Sequence, residues 1–322
     1  MSIALYITIG FWLLISLLSS IYTPKWYIKG WDFGRAYWII AMLVTFAFAC
    51  YKFDATNWVD ISLLIGLVIG MVYHAWHVIP LTKLVKKQLP DAKAQDNALS
   101  LLACNVRQKN KTYGKLLDQI DKYDPDIILL TETDQYWADK MQEAGLEDRY
   151  PSVLKCPINN AYGMCFYARF PIEDGMVRFA VQDDIPSVHT TLRINDRQTI
   201  NFIGIHPPPP APGYIEENKD IELMKVAYEV QQNNMPAIVT GDLNDVGWSK
   251  ITRRFKAVSG LKDPRIGRGF YNTYNANFPV FRYPIDHVFV SDHFTLIDMK
   301  RLPHMGSDHF PVYIELQLHK VA

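Results

Sequence analysis

Ala237-Ile-Val-Thr-Gly-Asp-Leu-Asn244 decides how this chain is read. An apolar, β-branched run makes a buried strand, and a Gly-Asp-Leu-Asn turn follows it. The same arrangement recurs along the chain, each time with a short apolar strand beside a residue that can bind a cation or move a proton. Leu101-Leu-Ala-Cys-Asn-Val106 carries Asn105, Asp126-Ile-Ile-Leu-Leu-Thr-Glu132 ends in Glu132, and Asn201-Phe-Ile-Gly-Ile-His206 ends in His206. Asp286 stands in Tyr283-Pro-Ile-Asp-His-Val-Phe-Val290, and Asp308 with His309 in Gly306-Ser-Asp-His-Phe310. Strand ends on one edge of a packed sheet converge on a crevice. Carboxylates, amides and imidazoles gathered there suit a hard divalent cation and a phosphate ester.

Around these points the pattern alternates between strand and helix. Ala98–Val106 reads as a strand, Lys111–Tyr123 as an amphipathic helix stopped by Pro125, and Asp126–Thr131 as the next strand. Further strands are predicted at about 162–168, 187–194, 199–205, 236–240, 285–290, 294–299 and 310–318, with a helix over Ile215–Gln232. So many strand pairs interleaved with helices predict an α/β sandwich, two sheets face to face with helices outside. This unit spans residues 98–322.

The first 83 residues have another character. Ile3–Tyr22, Ala36–Tyr51 and Ile61–Pro80 are apolar runs, read as three transmembrane helices. The first lacks a basic leader and a small-residue cleavage site, so a removable signal peptide is not expected. Lys25–Arg35 mixes aromatic and basic residues and suits the headgroup zone. His74 and His77 share a helical face; polar tips near an interface are favoured over a metal or haem pair. Residues 84–97 are charged, contain Pro90, and read as a juxtamembrane linker. Lys25, Lys29, Arg35, Lys83, Lys86 and Lys87 fall on one side of the three spans and Lys52 on the other. Three spans make a multi-pass protein, expected in a bacterial inner membrane, and the asymmetry predicts that its large domain lies in the cytoplasm; a periplasmic domain is the alternative. An anchor ahead of a self-contained sandwich is expected to be dispensable for chemistry.

Formal charge is balanced, with 33 basic and 33 acidic residues, but 26 of the basic and 29 of the acidic ones lie beyond Asp91. A domain that grips long nucleic acid by charge alone would be basic. The four cysteines do not make a disulfide framework in a chain of this length. Cys156 and Cys165 could meet across a hairpin, but free small apolar side chains are the expectation.

The order of strand-end residues, with the Gly241-Asp242-Leu243-Asn244 motif, resembles the endonuclease/exonuclease/phosphatase family, which is similar to deoxyribonuclease I. The resemblance covers nearly all of 98–320 and implies a four-layer α/β sandwich. It implies that Glu132 binds the metal, Mg²⁺ or Mn²⁺, that Asn105 holds the metal shell, and that Asp308 is a second metal carboxylate or binds a metal water. It makes Asp242 the group that orients or deprotonates the attacking water and Asn244 a hydrogen-bond donor to phosphate. His309 becomes general base or transition-state stabiliser with Asp286 fixing its ring, and His206 the proton donor to the leaving oxygen. The Tyr162-Gly163-Met164 turn is expected to line the site, and Pro207–Pro210 to stiffen its rim. Arg107, Lys109, Lys111 and Arg282 are candidate phosphate ligands, with surface solvation as the alternative for each. His287 is expected to be structural.

The expected function is therefore a membrane-anchored phosphohydrolase cleaving a phosphodiester in nuclease fashion. A phosphatase or phospholipase C-like enzyme acting on a lipid headgroup is the alternative, and a catalytically silent membrane scaffold is the non-enzyme reading. Nucleic acid or a lipid headgroup and the bilayer itself are the expected partners, with no obligate protein partner.

Overall fold

Strands buried on both faces give continuous apolar runs, and the sandwich is built from such strands. The computed structural model describes residues 1–23, 25–94, 96–210 and 216–319. In chain order the strands are β1 (Ala98–Asn105), β2 (Ile127–Thr131), β3 (Ser152–Cys156), β4 (Met164–Ala168), β5 (Ile172–Arg178) and β6 (Ser187–Asn195). They continue with β7 (Gln198–Gly204), β8 (Ala237–Asp242), β9 (Asp286–Val290), β10 (Phe294–Arg301) and β11 (Val312–Leu318). One mixed sheet has the order β10-β11-β1-β2-β4-β3, the other β5-β6-β7-β8-β9. Leu101, Leu129, Phe166, Phe202, Ile238, Val288 and Ile314 fill the space between them. The alternate residues, such as Leu102, Ile128, Ile203 and Val239, face outward under the helices.

The helices are α1 (Ile3–Leu18), α2 (Trp26–Lys29), α3 (Arg35–Tyr51), α4 (Trp58–Val78), α5 (Tyr113–Tyr123), α6 (Gln135–Glu143), α7 (Leu146–Arg149), α8 (Glu216–Asn233) and α9 (Lys250–Ser259). Leu116 and Ile120 of α5 with Trp137 and Met141 of α6 cover the first sheet. Leu223 and Val226 of α8 with Phe255 of α9 cover the second. The α/β sandwich expected from the sequence is thus present. Ile215, expected to open the helix that became α8, lies outside the described residues. The cysteines are free.

The amino-terminal helices depart from three full spans. Among the described residues, one helix, Trp58–Leu81, is long and apolar enough to cross a bilayer by itself. Trp26–Asp32 and Arg35–Tyr51 make a second span only if taken together across a 69° bend. The 16 residues of α1 reach only about 24 Å, short of a ~30 Å hydrocarbon core. The reason lies in its last turn. The buried Arg35 guanidinium and the Tyr73 hydroxyl both donate to the Ser19 carbonyl, each at 2.9 Å, and the chain leaves the helix there. His74 is not an interfacial tip: it is buried against Ser16 at 3.1 Å and Arg35 at 3.3 Å. His77, also buried, bonds the Tyr73 carbonyl at 2.8 Å.

This unit is packed on the sandwich. Val78 and Leu81 join Val246, Trp248 and Ile285 in one buried cluster. Trp248 Nε1 donates to the Asp32 carbonyl at 2.7 Å. The stretch read as a linker is docked too: Leu89 is fully buried in the inter-sheet core, and Asp91 bridges Leu296.

Candidate active site

Two strand–helix–strand units aim the site. β1 and β2 run parallel around α5, and β7 and β8 run parallel around α8. Their carboxyl ends carry Asn105, Glu132, His206 and Asp242 to one edge, where crevices form in α/β sheets. The antiparallel partners start from the same edge. β9 begins at Asp286, directly opposite Asp242, and Asp308 with His309 precedes β11. Residues far apart in sequence meet for this reason.

Close backbone contacts hold these ends. Glu132 and Asn244 adopt left-handed conformations, φ 58° and 50°, which non-glycine residues keep only where the surroundings enforce them. A Cβ on Gly163 would lie 1.8 Å from the Thr133 carbonyl, so the Tyr162-Gly163-Met164 turn buttresses the Glu132 loop. Gly241, at φ 142°, would place a Cβ 1.9 Å from the Ile205 carbonyl. Its bareness brings β8 against the end of β7, and with it Asp242 against His206. Ser307 completes the frame, donating to the Asn105 carbonyl at 2.7 Å and accepting from His309 N at 3.0 Å.

Asp242 is the meeting point of the site. Its Oδ2 accepts from Asn105 Nδ2 at 3.0 Å and lies 3.5 Å from His206 Nε2 and 3.6 Å from His309 Nε2. Its Oδ1 accepts from Asn244 N at 2.8 Å. Asn105 Nδ2 also donates to Glu132 Oε1 at 2.8 Å, bridging the two sheets. His309 Nδ1 bonds Asp286 Oδ2 at 2.8 Å, which leaves Nε2 facing Asp242. His206 is different. Its Nδ1 is buried with no hydrogen-bond partner among the described residues, while Nε2 also meets Asn244 Nδ2 at 3.3 Å.

Burial alone would push the His309 ring toward neutrality. Asp286, Asp242 and the Nδ1 hydrogen bond outweigh it and raise the ring to about 10. Asp242 is driven the other way: against its burial, His309, His206 and the Asn244 amide hold its carboxyl far below the usual range. His206 is raised, again against burial, by Asp242 and then Glu132.

Glu132, His206 and Asp242 each offer a ligand atom within 4.8 Å of the others, as do Asp242, Asp286 and His309. In the second set Asp286 and His309 already satisfy each other, so the first fits a cation better. Its two carboxylates, with no thiol in the set, suit a hard ion, and the Asn105 amide that donates to both holds them together around the position the ion would take. Asp308 joins neither set; its carboxylate faces Arg107 Nε at 3.7 Å. Both Asp308 and Glu132 line the crevice, which measures about 430 Å³. Tyr162 lies against His206, ring centroids 5.3 Å apart. Pro209 and Pro210 form part of the crevice wall. Arg107 is exposed at the mouth. Lys111 sits over the Tyr136 ring at 4.0 Å, and Arg282 braces its own loop through the Asn275 and Phe278 carbonyls; neither faces the crevice as a phosphate ligand.

Several residues to which the sequence reading gave no part in the site matter here. Lys219 is buried and donates to the Asn244 carbonyl at 2.9 Å and to Asp245 at 3.0 Å, and Lys29 reaches Asp245 at 3.5 Å. Arg265, fully buried and paired with Asp263, donates to the Asp286 carbonyl at 3.3 Å. It also donates to His287 Nδ1 at 2.6 Å, so His287 Nε2 carries the proton donated to the Asp245 carbonyl at 2.8 Å. His287 is the structural tie expected of it. The Tyr274 ring lies tilted beside His309, centroids 5.0 Å apart, and Gly30 and Phe33 of the amino-terminal unit line the crevice. No motif flags Lys219, Arg265 or Tyr274.

Solved structures share the architecture. The human Nocturnin catalytic domain with bound sulfate anion superposes with a TM-score of 0.57 at 16% identity, covering 72% of this chain and 97% of that one. D. rerio TDP2 complexed with single strand DNA product gives 0.56 at 16%, covering 69% and 100%. An endonuclease/exonuclease/phosphatase family protein from Bacteroides thetaiotaomicron gives 0.56 at 18%, covering 71% and 100%. At such identities the likeness speaks for the fold. A search of curated proteins gives no match. The sequence model of the Endonuclease/Exonuclease/phosphatase family matches residues 102–309, a span that holds every strand-end residue from Asn105 to His309. The chain belongs to the endonuclease/exonuclease/phosphatase family.

Proposed function

We propose that this protein is a membrane-anchored, divalent-metal-dependent phosphohydrolase that breaks a phosphodiester by in-line attack of water. The observation that carries the reading is the Asp242 carboxylate with two imidazole Nε2 atoms within 3.6 Å, one of them braced by Asp286. Its family acts on phosphoester bonds. Asp242, kept ionised, orients the attacking water. The Asn244 amide, steadied by the Pro207 carbonyl at 3.1 Å, donates to a phosphate oxygen. His309, kept cationic, turns Nε2 toward the charge that develops at phosphorus. His206 hands a proton to the leaving oxygen. Glu132 and Asp242, with Asn105 beside them, would hold Mg²⁺ or Mn²⁺, and His206 keeps its proton for the leaving oxygen instead of ligating the ion. When bound, such an ion neutralises phosphate charge and acidifies water.

The anchor reading rests on the outer faces of α1, α3 and α4. Ile3, Ile7, Phe11, Leu14 and Leu17 are exposed along α1, and Ile65, Ile69, Val72 and Trp76 along α4. Apolar area on that scale marks a membrane or partner surface. A cytoplasmic position for the sandwich rests on the distribution of Lys and Arg. A silent scaffold would have no use for an imidazole braced by one carboxylate and aimed at another. A nuclease reading draws on the neighbour bound to single strand DNA product. The acidic balance beyond Asp91 weighs against a long polyanion held by charge.

The test uses the full-length protein in detergent with bis-p-nitrophenyl phosphate. Turnover should require Mg²⁺ or Mn²⁺ and stop with EDTA. Glu132→Gln should lower both turnover and metal affinity without moving Tm. Full activity in excess EDTA overturns the metal assignment.

A further inference from the structure

One loop of the sandwich touches both the catalytic crevice and the apolar exterior of the amino-terminal helices. At its inner end Tyr274 lines the crevice beside His309, and Ala276 N donates to the Asp308 carbonyl at 2.6 Å. At its outer end Phe278, Val280 and Phe281 are exposed, with the two phenylalanine rings stacked at 6.0 Å. Arg282 braces the turn from within, through the Asn275 and Phe278 carbonyls.

The loop is fastened to the head of α3. The Tyr37 hydroxyl donates to the Val280 carbonyl at 2.8 Å and accepts from Arg282 N at 2.8 Å, and its ring meets Phe281 at 5.1 Å. Residues 37, 40, 44 and 48 fall on one helical face. Along that face Ile40, Val44 and Phe48 are exposed. The loop therefore extends an apolar stripe that already runs the length of α3. Trp26 and Tyr27 are exposed on the segment that feeds Gly30 and Phe33 into the crevice wall. Aromatic rings in such a belt settle at the boundary between hydrocarbon and headgroups.

We infer that the Asn277–Phe281 loop and the Trp26–Phe33 segment form one interfacial rim, seated in a bilayer surface, that brings a lipid-borne phosphoester to the crevice. This deepens the phosphohydrolase reading and rests on it. The occupant follows from continuity: the loop prolongs the faces of α1, α3 and α4 that lipid would cover. The amino-terminal unit is then a wall of the active site as well as an anchor. Hydrolysis adds the water oxygen to phosphorus, breaks the bond to the leaving alcohol, and passes the water proton to that alcohol; no other reactant is needed.

The experiment compares full-length protein reconstituted into vesicles of phosphatidylethanolamine and phosphatidylglycerol with the same protein assayed on bis-p-nitrophenyl phosphate and on single-stranded DNA. The variants are the triple Phe278→Ser/Val280→Ser/Phe281→Ser and, separately, Phe281→Trp. The vesicle lipids should be hydrolysed, and the triple variant should raise KM for them about tenfold, a change worth about 1.4 kcal/mol. Its rate on the soluble diester should stay within about twofold, since no catalytic contact is altered. The fluorescence of the introduced Trp, measured against an unsubstituted control, should be quenched by brominated acyl chains. Hydrolysis of the soluble diester or DNA without hydrolysis of the vesicle lipids overturns the inference and leaves the phosphohydrolase reading standing. An equal loss on lipid and soluble substrates, or a Trp that brominated lipid does not quench, also overturns it. No hydrolysis of any substrate with metal present overturns both.

Discussion

Two histidines reach Asp242 from opposite sheets, and they are held differently. His309 enters beside β11, with Nδ1 locked to a buried carboxylate. His206 leaves β7 with Nδ1 buried and unpartnered among the described residues. Glu222, buried on α8, feels the His206 charge, and its Oε1 is likewise unpartnered among the described residues. Both rings bring Nε2 to the same carboxylate oxygen at nearly the same distance, 3.5 and 3.6 Å. Equal reach with unequal support implies division of labour. A ring fixed by Asp286 is a stable cation, suited to stabilising charge. A ring without that brace changes protonation more readily, which suits it to donate a proton.

The widest gap between the two arms should appear in the dyad. His309→Ala and Asp286→Ala should each lower kcat by roughly two to four orders of magnitude, the range of a positioned acid–base or charge-stabilising group. The double variant should lose little more than the worse single one, because both break one unit. KM should change little. Asp286→Asn should keep the ring in place yet cost nearly as much rate, since an amide does not stabilise the ring's charge. Additive losses, or normal turnover per folded molecule, would sever Asp286 from the chemistry.

The His206 arm should be smaller in effect and dependent on substrate. A proton donor matters only when the leaving oxygen is basic. His206→Ala should cost about ten- to a hundredfold on an alkyl phosphodiester and nearly nothing on one that releases p-nitrophenolate. Equal losses on both would give the two histidines the same role.

The sequence makes one side of this comparison more legible than the other. β1, β2, β7 and β8 are readable because burial on both faces turns them into unbroken apolar runs, and a polar residue at such an end stands out. The edge strand β5 escapes the reading because its residues Glu173 and Asp174 are exposed and erase the pattern. α9 is short and basic, and its Ile251 and Phe255 form too brief a stripe to mark a helix. The family resemblance implies Asp286 as the brace for His309, whereas the pairing geometry belongs to the register that sets β9 opposite β8. The Lys29–Asp245–Lys219 network joins residues up to 216 positions apart by their numbering, and long-range ion pairs leave no local periodicity. The count of membrane spans fails for a related reason. Hydropathy counts Ser19 to Tyr22 as part of the first run, while Arg35 and Tyr73, distant in sequence, end α1 at Leu18.

The last and smallest effect concerns stability rather than rate, and it tests the protonation contrast directly. His309 is raised from 6.5 to about 10 in the folded protein. A group whose folded value lies above its unfolded one stabilises the fold fully below the unfolded value. That contribution fades as pH climbs from about 6.5 and is gone once the folded value of about 10 is passed. His309→Gln removes it while keeping a hydrogen-bonding side chain of similar reach. In EDTA, so that no cation competes for the carboxylates, wild-type Tm should exceed that of the variant by about 5–10 °C near pH 6. The gap should narrow steadily toward about pH 10 as the wild-type ring loses its proton. Groups that do not feel His309 titrate alike in both proteins and cancel in the difference, while the shifts of Asp242, Asp286 and His206, which do feel it, are part of the contribution measured. A gap that stays constant across the range, or widens with pH, would mean that His309 is neutral in the fold. The base role would then pass to His309, and the division between the two histidines would have to be redrawn.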